Sequence, residues 1–401
     1  MMQLAGPEVL IGIILQGKLL KFTTLCIDNM KIAIDGNEAN APKRVGIGEY
    51  AFNLLCGLAK YQDRHSFSVF FKDSPTADLP QQTNKWKYFQ LKPSFLWSQI
   101  AFPYYLITHK NYDLVFSPTH YGPRLSPIPS IISVMDLSYL YYPQLFKKQD
   151  LYKLTDWTSY SVKQATYIFT ISEFTKKDII KNYRVSQEKV IVTYPGYNNK
   201  IYNINYTNSD VVRIKKKYSL DQYLIFVGTI QPRKNISKLV EAYKILLGKH
   251  PHLKLVIVGK KGWLYESVFN ILVPYIKEGK VHYMGYLPDN EIVLLYQGAL
   301  AFVLPSLYEG FGLTVVEAMA SGCPIAVSNV SSLPEIAGES GFYFNPNEVS
   351  DIAQKIDKIL DLTTSQRADV IRNGILKASQ YSWDKCARKT IEVMEKIKTN
   401  N

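Results

Sequence analysis

The stretch Pro305-Ser306-Leu307-Tyr308-Glu309-Gly310-Phe311-Gly312-Leu313-Thr314-Val315-Val316-Glu317-Ala318-Met319-Ala320-Ser321-Gly322 reads as a strand end, a loop with two glycines, and an apolar helix that Gly322 closes. A helix N-terminus presents free N–H groups and a partial positive charge, which together cradle an anion. Gly310 and Gly312 would let a phosphate approach the backbone closely. Glu309 stands in the loop and Glu317 about one turn inside the helix. Carboxylates so placed repel phosphate, but they accept hydrogen bonds from sugar hydroxyls. Two of them bracketing an anion cradle describe a site for a nucleotide-sugar.

Outward from this stretch, the chain alternates between two periodicities. Strands are expected at 31–35, 68–71, 114–116, 130–134, 167–171 and 190–193, with helices at 49–60, 151–165 and 173–182. A polar stretch at 197–210 and the basic run Lys215-Lys216-Lys217 interrupt the pattern. It restarts with strands at 223–227, 254–258, 281–283, 300–304 and 325–328, and helices at 237–247, 289–297, 314–321, 351–362 and 365–379. Two α/β domains follow, each a doubly wound parallel sheet, joined near 197–217 and facing a shared cleft at the carboxyl ends of their strands.

Composition sets the outer bounds. The 401 residues are 47% apolar and 20% charged, enough to build real cores. No run approaches the ~18–20 apolar residues that span a bilayer. Cysteines at 26, 56, 323 and 386 lie far apart and suit free thiols in a reducing cytoplasm. The net charge of +13 is spread evenly: 21 basic against 14 acidic residues over 30–210, and 24 against 18 over 211–401. That distribution fits anionic small ligands or an anionic membrane surface, and it argues against a polynucleotide partner. Residues 1–29 read as an extension. They are either the product of an upstream start codon, with Met30 the real beginning, or a short interfacial anchor; the first reading is preferred.

Several further motifs join the glycine stretch. Val227-Gly228-Thr229-Ile230-Gln231-Pro232-Arg233-Lys234-Asn235 follows the first strand of the second half, and Gly46-Ile47-Gly48-Glu49-Tyr50 follows the first strand of all. Ser172-Glu173-Phe174-Thr175 opens a helix, and Gly285-Tyr286-Leu287 and Leu333-Pro334-Glu335 complete the set. With Glu309 and Glu317 at E-x7-E spacing, the combination resembles the retaining glycosyltransferases of family 4, the glycosyl transferases group 1, from about Met30 to the C-terminus.

That resemblance implies a GT-B fold with an acceptor-binding domain over 30–205, a donor-binding domain over 206–380, and a last helix within 381–401 that crosses back to the first domain. It implies retaining transfer of a sugar from a nucleotide donor, with no metal and no other cofactor; the chain also has no Asp-x-Asp triplet. Catalytic roles fall on Glu309, Asp136, Arg233 and Lys234. Donor contacts fall on Gly46, Gly228, Arg233, Lys234, Gly310, Phe311, Gly312, Leu313 and Glu317. Arg233 and Lys234 would neutralise the departing diphosphate, Glu309 would hold the donor sugar's hydroxyls and Glu317 the ribose.

The chain departs from the family pattern at two points. Thr229 stands where many relatives have arginine, and Met135 where many have histidine, in Val134-Met135-Asp136-Leu137. Asp136 remains as an orienting group or a strand-end cap, and His120 is a candidate substitute at the sugar. The acceptor is expected to be a glycan or a lipid-linked glycan, at the cytoplasmic face of the inner membrane. GDP-mannose is the first donor choice, with UDP- or ADP-sugars as alternatives, and a catalytically degenerate nucleotide-sugar-binding protein is the competing class. A Rossmann dehydrogenase fits worse: Gly46-Ile47-Gly48 is followed by Ala51 in place of a third glycine, and no acidic residue convincingly follows a second strand.

Overall fold

The computed structural model describes residues 29–399, together with an antiparallel pair of two-residue strands, Ile14–Leu15 and Lys18–Leu19. The start-codon and anchor readings of residues 1–29 otherwise lie outside the described residues. The first sheet contains β1 (Lys31–Asp35), β2 (Ser66–Phe71), β3 (Trp86–Gln90), β4 (Leu114–Ser117), β5 (Ser130–Val134), β6 (Tyr167–Thr170) and β7 (Val190–Val192). Their order is β3-β2-β1-β4-β5-β6-β7, all parallel. The second contains β8 (Tyr223–Val227), β9 (Lys254–Val258), β10 (Val281–Gly285), β11 (Ala301–Leu304), β12 (Ile325–Ser328) and β13 (Gly341–Phe344). Its order is β10-β9-β8-β11-β12-β13, again all parallel.

Leu-Val-Phe-Ser of β4 and Ala-Phe-Val-Leu of β11 are buried along their whole length, as strands covered on both faces by helices must be. In each sheet the strand order reverses at one point, between β1 and β4 and between β8 and β11. Crevices open there, because consecutive crossovers leave in opposite directions. The loops after β1, β8 and β11 therefore converge on the cleft between the domains.

The sequence patterns missed one outer strand of each sheet, β3 and β13, while the opposite edges, β7 and β10, lie where strands were expected. Trp-Lys-Tyr-Phe-Gln and Gly-Phe-Tyr-Phe lie at sheet edges, half-buried, without the continuous apolar signal of central strands. Helices Ala101–Thr108, Asn208–Lys217 and Glu266–Lys277 were also not anticipated; the second falls in the stretch read as a linker, and the third carries Pro274 in its interior. The expected helix over 151–165 is broken into Lys148–Tyr152, a wider π-type turn at Lys153–Trp157, and Thr158–Gln164. Cys56, Cys323 and Cys386 are free. Among the described residues, no helix is long and apolar enough to cross a membrane.

The chain passes between domains twice. It leaves the first after β7 and enters helix Asn208–Lys217, whose Thr207 cap exchanges hydrogen bonds with Asp210. It returns after helix Thr364–Ala378 into helix Trp383–Thr399, which lies on helix Ile47–Leu58 of the first domain. Trp383 meets Tyr50 with ring centroids 6.1 Å apart, and Glu395 holds both His65 (2.9 Å) and Arg64 (2.8 Å). The two passages touch: a Cβ on Gly196 would lie 2.0 Å from the Trp383 backbone nitrogen. Backbone cannot give way as a flexible side chain does. Gly196→Ala is expected to lower stability by about 1–3 kcal/mol, as overpacking does, read as a fall in the thermal unfolding midpoint. An unchanged midpoint would show that the passages separate freely.

Candidate active site

The β8 and β11 strands are neighbours at the switch point, so residues 75 positions apart in sequence meet across their ends. Arg233 and Lys234 sit in the short turn Pro232–Lys234 after β8, and Glu309 follows β11. Lys234 Nζ donates to Glu309 Oε1 at 2.5 Å, and Arg233 Nη1 lies 3.4 Å from Oε2. Ser306 Oγ donates to the same Oε1 at 2.6 Å. The loop itself is pinned: the Glu309 N–H donates to Ser331 Oγ at 2.9 Å, Ser332 Oγ donates to the Glu309 carbonyl at 2.9 Å, and Arg233 Nη1 donates to the Tyr308 carbonyl. The sequence reading kept Glu309 apart from the two cations; the structure makes them one buried cluster.

Burial opposes charge on Glu309, yet Lys234 and Arg233, helped by hydrogen bonds from Lys234 and Ser306, outweigh it and hold the carboxyl at about 2. Burial opposes charge on Arg233 too, and there Glu309 and Asp136 prevail and raise it. Lys234 is drawn down by burial, which Arg233 reinforces and Glu309 only partly offsets. Glu309 and Asp136 balance the two cations in charge. Around them, Arg233 Nε, Gln231 Oε1 and His120 Nδ1 are buried without a protein partner. Orphaned groups of this kind cost roughly 1–3 kcal/mol each, and they mark where a polar ligand would be received.

Glu317 faces a different neighbourhood. Burial, then Asp289 and Glu49, push its carboxyl well above the ordinary range. Glu49 comes from the first turn of helix Ile47–Leu58, just after Gly46, and Asp289 from the first turn of helix Asp289–Gly298. Glu317 therefore lies where both domains approach each other, on the Gly46 side of the cleft. Gly46 precedes that helix with open space around its Cα, and Gly228 follows β8 with its N–H donated to the Val258 carbonyl. Gly312 is the N-cap of helix Leu313–Ala320 at φ +99°, a conformation that favours glycine. The Phe311 ring is buried against Tyr381 (5.2 Å between centroids), so only its backbone is offered to a ligand, and Leu313 is half-buried.

Gly310 sits at the seam between the two domains. A Cβ there would fall 2.2 Å from the Met135 carbonyl oxygen and 2.9 Å from Asp136 Cβ. Its carbonyl accepts hydrogen bonds from Ser172 Oγ at 2.7 Å and Thr175 Oγ1 at 3.4 Å. The close approach that the missing side chain permits here is to the other domain. Asp136 caps a helix start: Oδ1 accepts from Ser138 N (2.9 Å) and Oγ (2.6 Å), and its charge acts on Arg233, Lys234 and His120. Burial lowers His120, with Asp136 pulling against it.

Sequence reasoning missed the contacts that join the domains at this edge. Tyr308 OH donates to Asp178 Oδ2 at 2.5 Å, and its ring stacks on Tyr141 at 5.6 Å. Glu335 accepts the Glu173 and Phe174 N–H groups at 2.8 and 3.0 Å and the Tyr194 hydroxyl at 2.8 Å. Among the described residues, one group of metal-ligand character gathers, His250 with Asp357 and Asp361. It lies at the far end of helix Ile236–Lys249, and Lys249 Nζ already bridges the two carboxylates at 2.9 and 2.7 Å.

Two facing parallel-sheet domains with a charged cleft define the GT-B architecture. A sucrose-phosphate synthase from Thermosynechococcus elongatus superimposes with a TM-score of 0.73 at 18% identity, over 93% of this chain and 100% of that one. Residues 209–377 match the family described as Glycosyl transferases group 1, and residues 45–200 that described as Glycosyltransferase Family 4. The chain is 30% identical over 279 residues to O-antigen chain mannosyltransferase RfbU of Salmonella typhimurium, covering 70% of this chain and 72% of that protein. It is 29% identical over 366 residues to O-antigen chain mannosyltransferase B of Escherichia coli, covering 86% and 94%. The chain belongs to the group 1 glycosyltransferases.

Two expectations follow from these charges. Glu309 has a lowered folded-state pKa, so its stabilisation is present above about 4.5 and is lost as pH falls toward about 2. Glu309→Gln should lower stability at pH 7 by about 3 kcal/mol and flatten that acid limb in denaturant titrations; an unaltered limb would contradict the cluster. Glu317 has a raised pKa, so it costs stability as pH rises above the ordinary 4.5. Glu317→Gln should raise the unfolding midpoint at pH 8 and leave it unchanged at pH 4. Equal shifts at both would remove the like-charge repulsion from the account.

Proposed function

We propose that the chain is a retaining, metal-independent hexosyltransferase of the family 4 type, which moves mannose from GDP-mannose to a glycan or lipid-linked glycan during cell-surface polysaccharide synthesis. The observation that carries this reading is the buried Glu309–Lys234–Arg233 cluster at the switch point of the second domain. The two relatives named as O-antigen mannosyltransferases support the sugar and the pathway class. A cytoplasmic setting against the inner membrane face fits such an acceptor.

In this mechanism the nucleoside diphosphate takes over the cations that Glu309 now holds. Arg233 offers two parallel donors to phosphate oxygens and Lys234 a compact charge. Glu309, released from part of its pairing, accepts hydrogen bonds from the sugar hydroxyls, while Glu317 accepts from the ribose. The bond from the anomeric carbon to the diphosphate oxygen breaks, and its electrons leave with the diphosphate. Arg233 and Lys234 stabilise that charge in a cleft poor in water. The acceptor hydroxyl adds to the same face of the sugar, and its proton passes to a phosphate oxygen. Asp136, beside the cations, orients the sugar or the acceptor.

A thermal-shift series with GDP, UDP, ADP and their sugars tests the donor. A ligand at 100 times its Kd raises apparent stability by about 2.7 kcal/mol, and the guanosine compounds should stand out. A larger shift from a uridine or adenosine compound would move the proposal to that donor. Lys234→Ala should weaken nucleoside diphosphate binding about tenfold or more. Glu309→Gln should cut turnover by about 10²–10³, the range for losing one preorganised electrostatic group. EDTA should leave turnover unchanged, and a sharp loss would replace the metal-independent scheme. Donor binding with no transfer to any glycan acceptor would favour the degenerate reading that Met135 invites.

A further inference from the structure

Asp35 is a buried carboxyl group with no part in the transfer scheme. It ends β1 where the strand order of the first sheet reverses. The register pairs Ile34 with Phe116, so Asp35 and Ser117, the last residue of β4, stand side by side. Side chains alternate along a strand. Both residues therefore share a face with Ala33 and Val115, against which Trp97 and Phe102 pack. The Arg124 N–H donates to the Ser98 carbonyl at 3.3 Å, which ties the Trp97 segment to the loop after β4. Asp35 Oδ1 accepts from Asn37 twice, from the N–H at 3.0 Å and from Nδ2 at 2.8 Å, which leaves Oδ2 for another donor. Ser117 Oγ and Trp97 Nε1 are buried without a protein partner. An acid, a hydroxyl and an indole N–H thus line the carboxyl end of one sheet face with hydrogen-bonding capacity left over.

Two aromatic rings form the rim. Tyr121 meets Trp157 edge to face, with centroids 5.2 Å apart, and both are half-buried. Trp157 ends the π-type turn Lys153–Trp157, a departure from regular winding of the kind that recurs at functional sites. Burial pushes the Tyr121 hydroxyl up to about 12, and the charges that add to this are Glu38, Asp35 and Asp150, all acidic. Burial, with Glu38 behind it, pushes Asp35 up to about 7 against the pull of Asn37 and Lys72, so near neutrality the group both donates and accepts. Lys72, exposed beyond β2, and Lys153, 5.7 Å from the Trp157 ring centroid, stand at the margin. A cation is a poor occupant, because an indole N–H has no lone pair to offer it. A phosphate would meet carboxylates of its own charge. A neutral sugar suits each part: its hydroxyls donate and accept, and its apolar ring face covers an aromatic edge.

We infer that this crevice receives the terminal sugar of the acceptor, held by Asp35, Ser117 and Trp97 below Glu38 and the Tyr121–Trp157 pair, and selects a neutral sugar over a phosphorylated one. The inference rests on the transferase reading and adds to it the chemical class of the acceptor's end. The crevice adjoins the donor side. β1, β4 and β5 are successive neighbours, and their loops carry Asp35, then His120, then Asp136, whose charge acts on Arg233 and Lys234. Two strand spacings, about 10 Å, separate β1 from β5.

Saturation-transfer NMR on the full chain with GDP present measures acceptor binding without turnover. The probes are mannobiose, maltose, lactose and mannose 6-phosphate. At least one neutral disaccharide should bind, and mannose 6-phosphate should bind tenfold more weakly or worse. Asp35→Asn keeps an oxygen for Asn37; it should weaken the neutral sugar about tenfold and leave the GDP-induced thermal shift unchanged. Trp157→Leu should act alike. In turnover both variants should lower kcat/KM for the acceptor about tenfold, while transfer of the donor sugar to water keeps the parent rate. No binding of any neutral probe, binding insensitive to both variants, preference for mannose 6-phosphate, or loss of the GDP shift in either variant would each overturn the inference. Failure of the transferase reading has a different signature: no nucleotide shift in the parent chain, with sugar binding and its dependence on Asp35 still measurable in the absence of nucleotide.

Discussion

One carboxylate and two cations, buried together at the mouth of the second sheet, set the terms for the rest of the cleft. Glu309 cannot stay charged in that environment without Lys234 and Arg233, and the cations cannot stay there without an anion. The fold supplies this arrangement cheaply, because β8 and β11 are adjacent and their loops leave toward the same crevice. Serine hydroxyls and backbone groups then hold the Glu309 loop from several directions. A ligand that brings its own negative charge enters a site whose electrostatics are already organised, and it competes with a resident carboxylate instead of creating order from solvent.

The two glutamates of the E-x7-E pattern turn out to occupy opposite electrostatic worlds. Glu309 is held ionised by neighbours of opposite charge, and Glu317 is pushed toward its neutral form by neighbours of like charge. Seven residues of loop and helix separate an electroneutral pocket from an acidic one. The acidic pocket needs hydrogen-bond donors without added negative charge, which describes sugar hydroxyls; the other needs oxygens that carry charge. The cleft thus changes in electrostatic character along its length, from a cluster that holds two cations to a wholly acidic pocket.

Much of this was legible from the sequence. Continuous apolar runs marked the central strands, and the glycine loop before an apolar helix marked the turn from β11 into helix Leu313–Ala320. Two of the four edge strands, β3 and β13, escaped because half-exposed aromatic and polar residues lack that signal. The Glu309 cluster escaped as a cluster because its members lie 75 residues apart, and only the strand order places them together. Gly310 shows the reverse difficulty. A glycine beside an anion cradle has an obvious reading from sequence, but its need comes from Met135 in the other domain, a contact no local pattern encodes.

The two passages between the domains lie against each other, Gly196 to the Trp383 backbone, with Thr193 and Cys386 in contact beside them. Both ends of the connection are therefore gathered at one side of the molecule, like the spine of a book. Sliding one domain along the other would tear this junction, whereas a small rotation about it leaves it whole. The Glu309–Gly312 loop is tied to the same junction: the Phe311 ring meets Tyr381, two residues before Trp383, and Glu335 accepts from Tyr194, two residues before Gly196. The seam between Gly310 and Met135 therefore lies near the axis of such a rotation, and the parts of the cleft farther from Trp383 would open more.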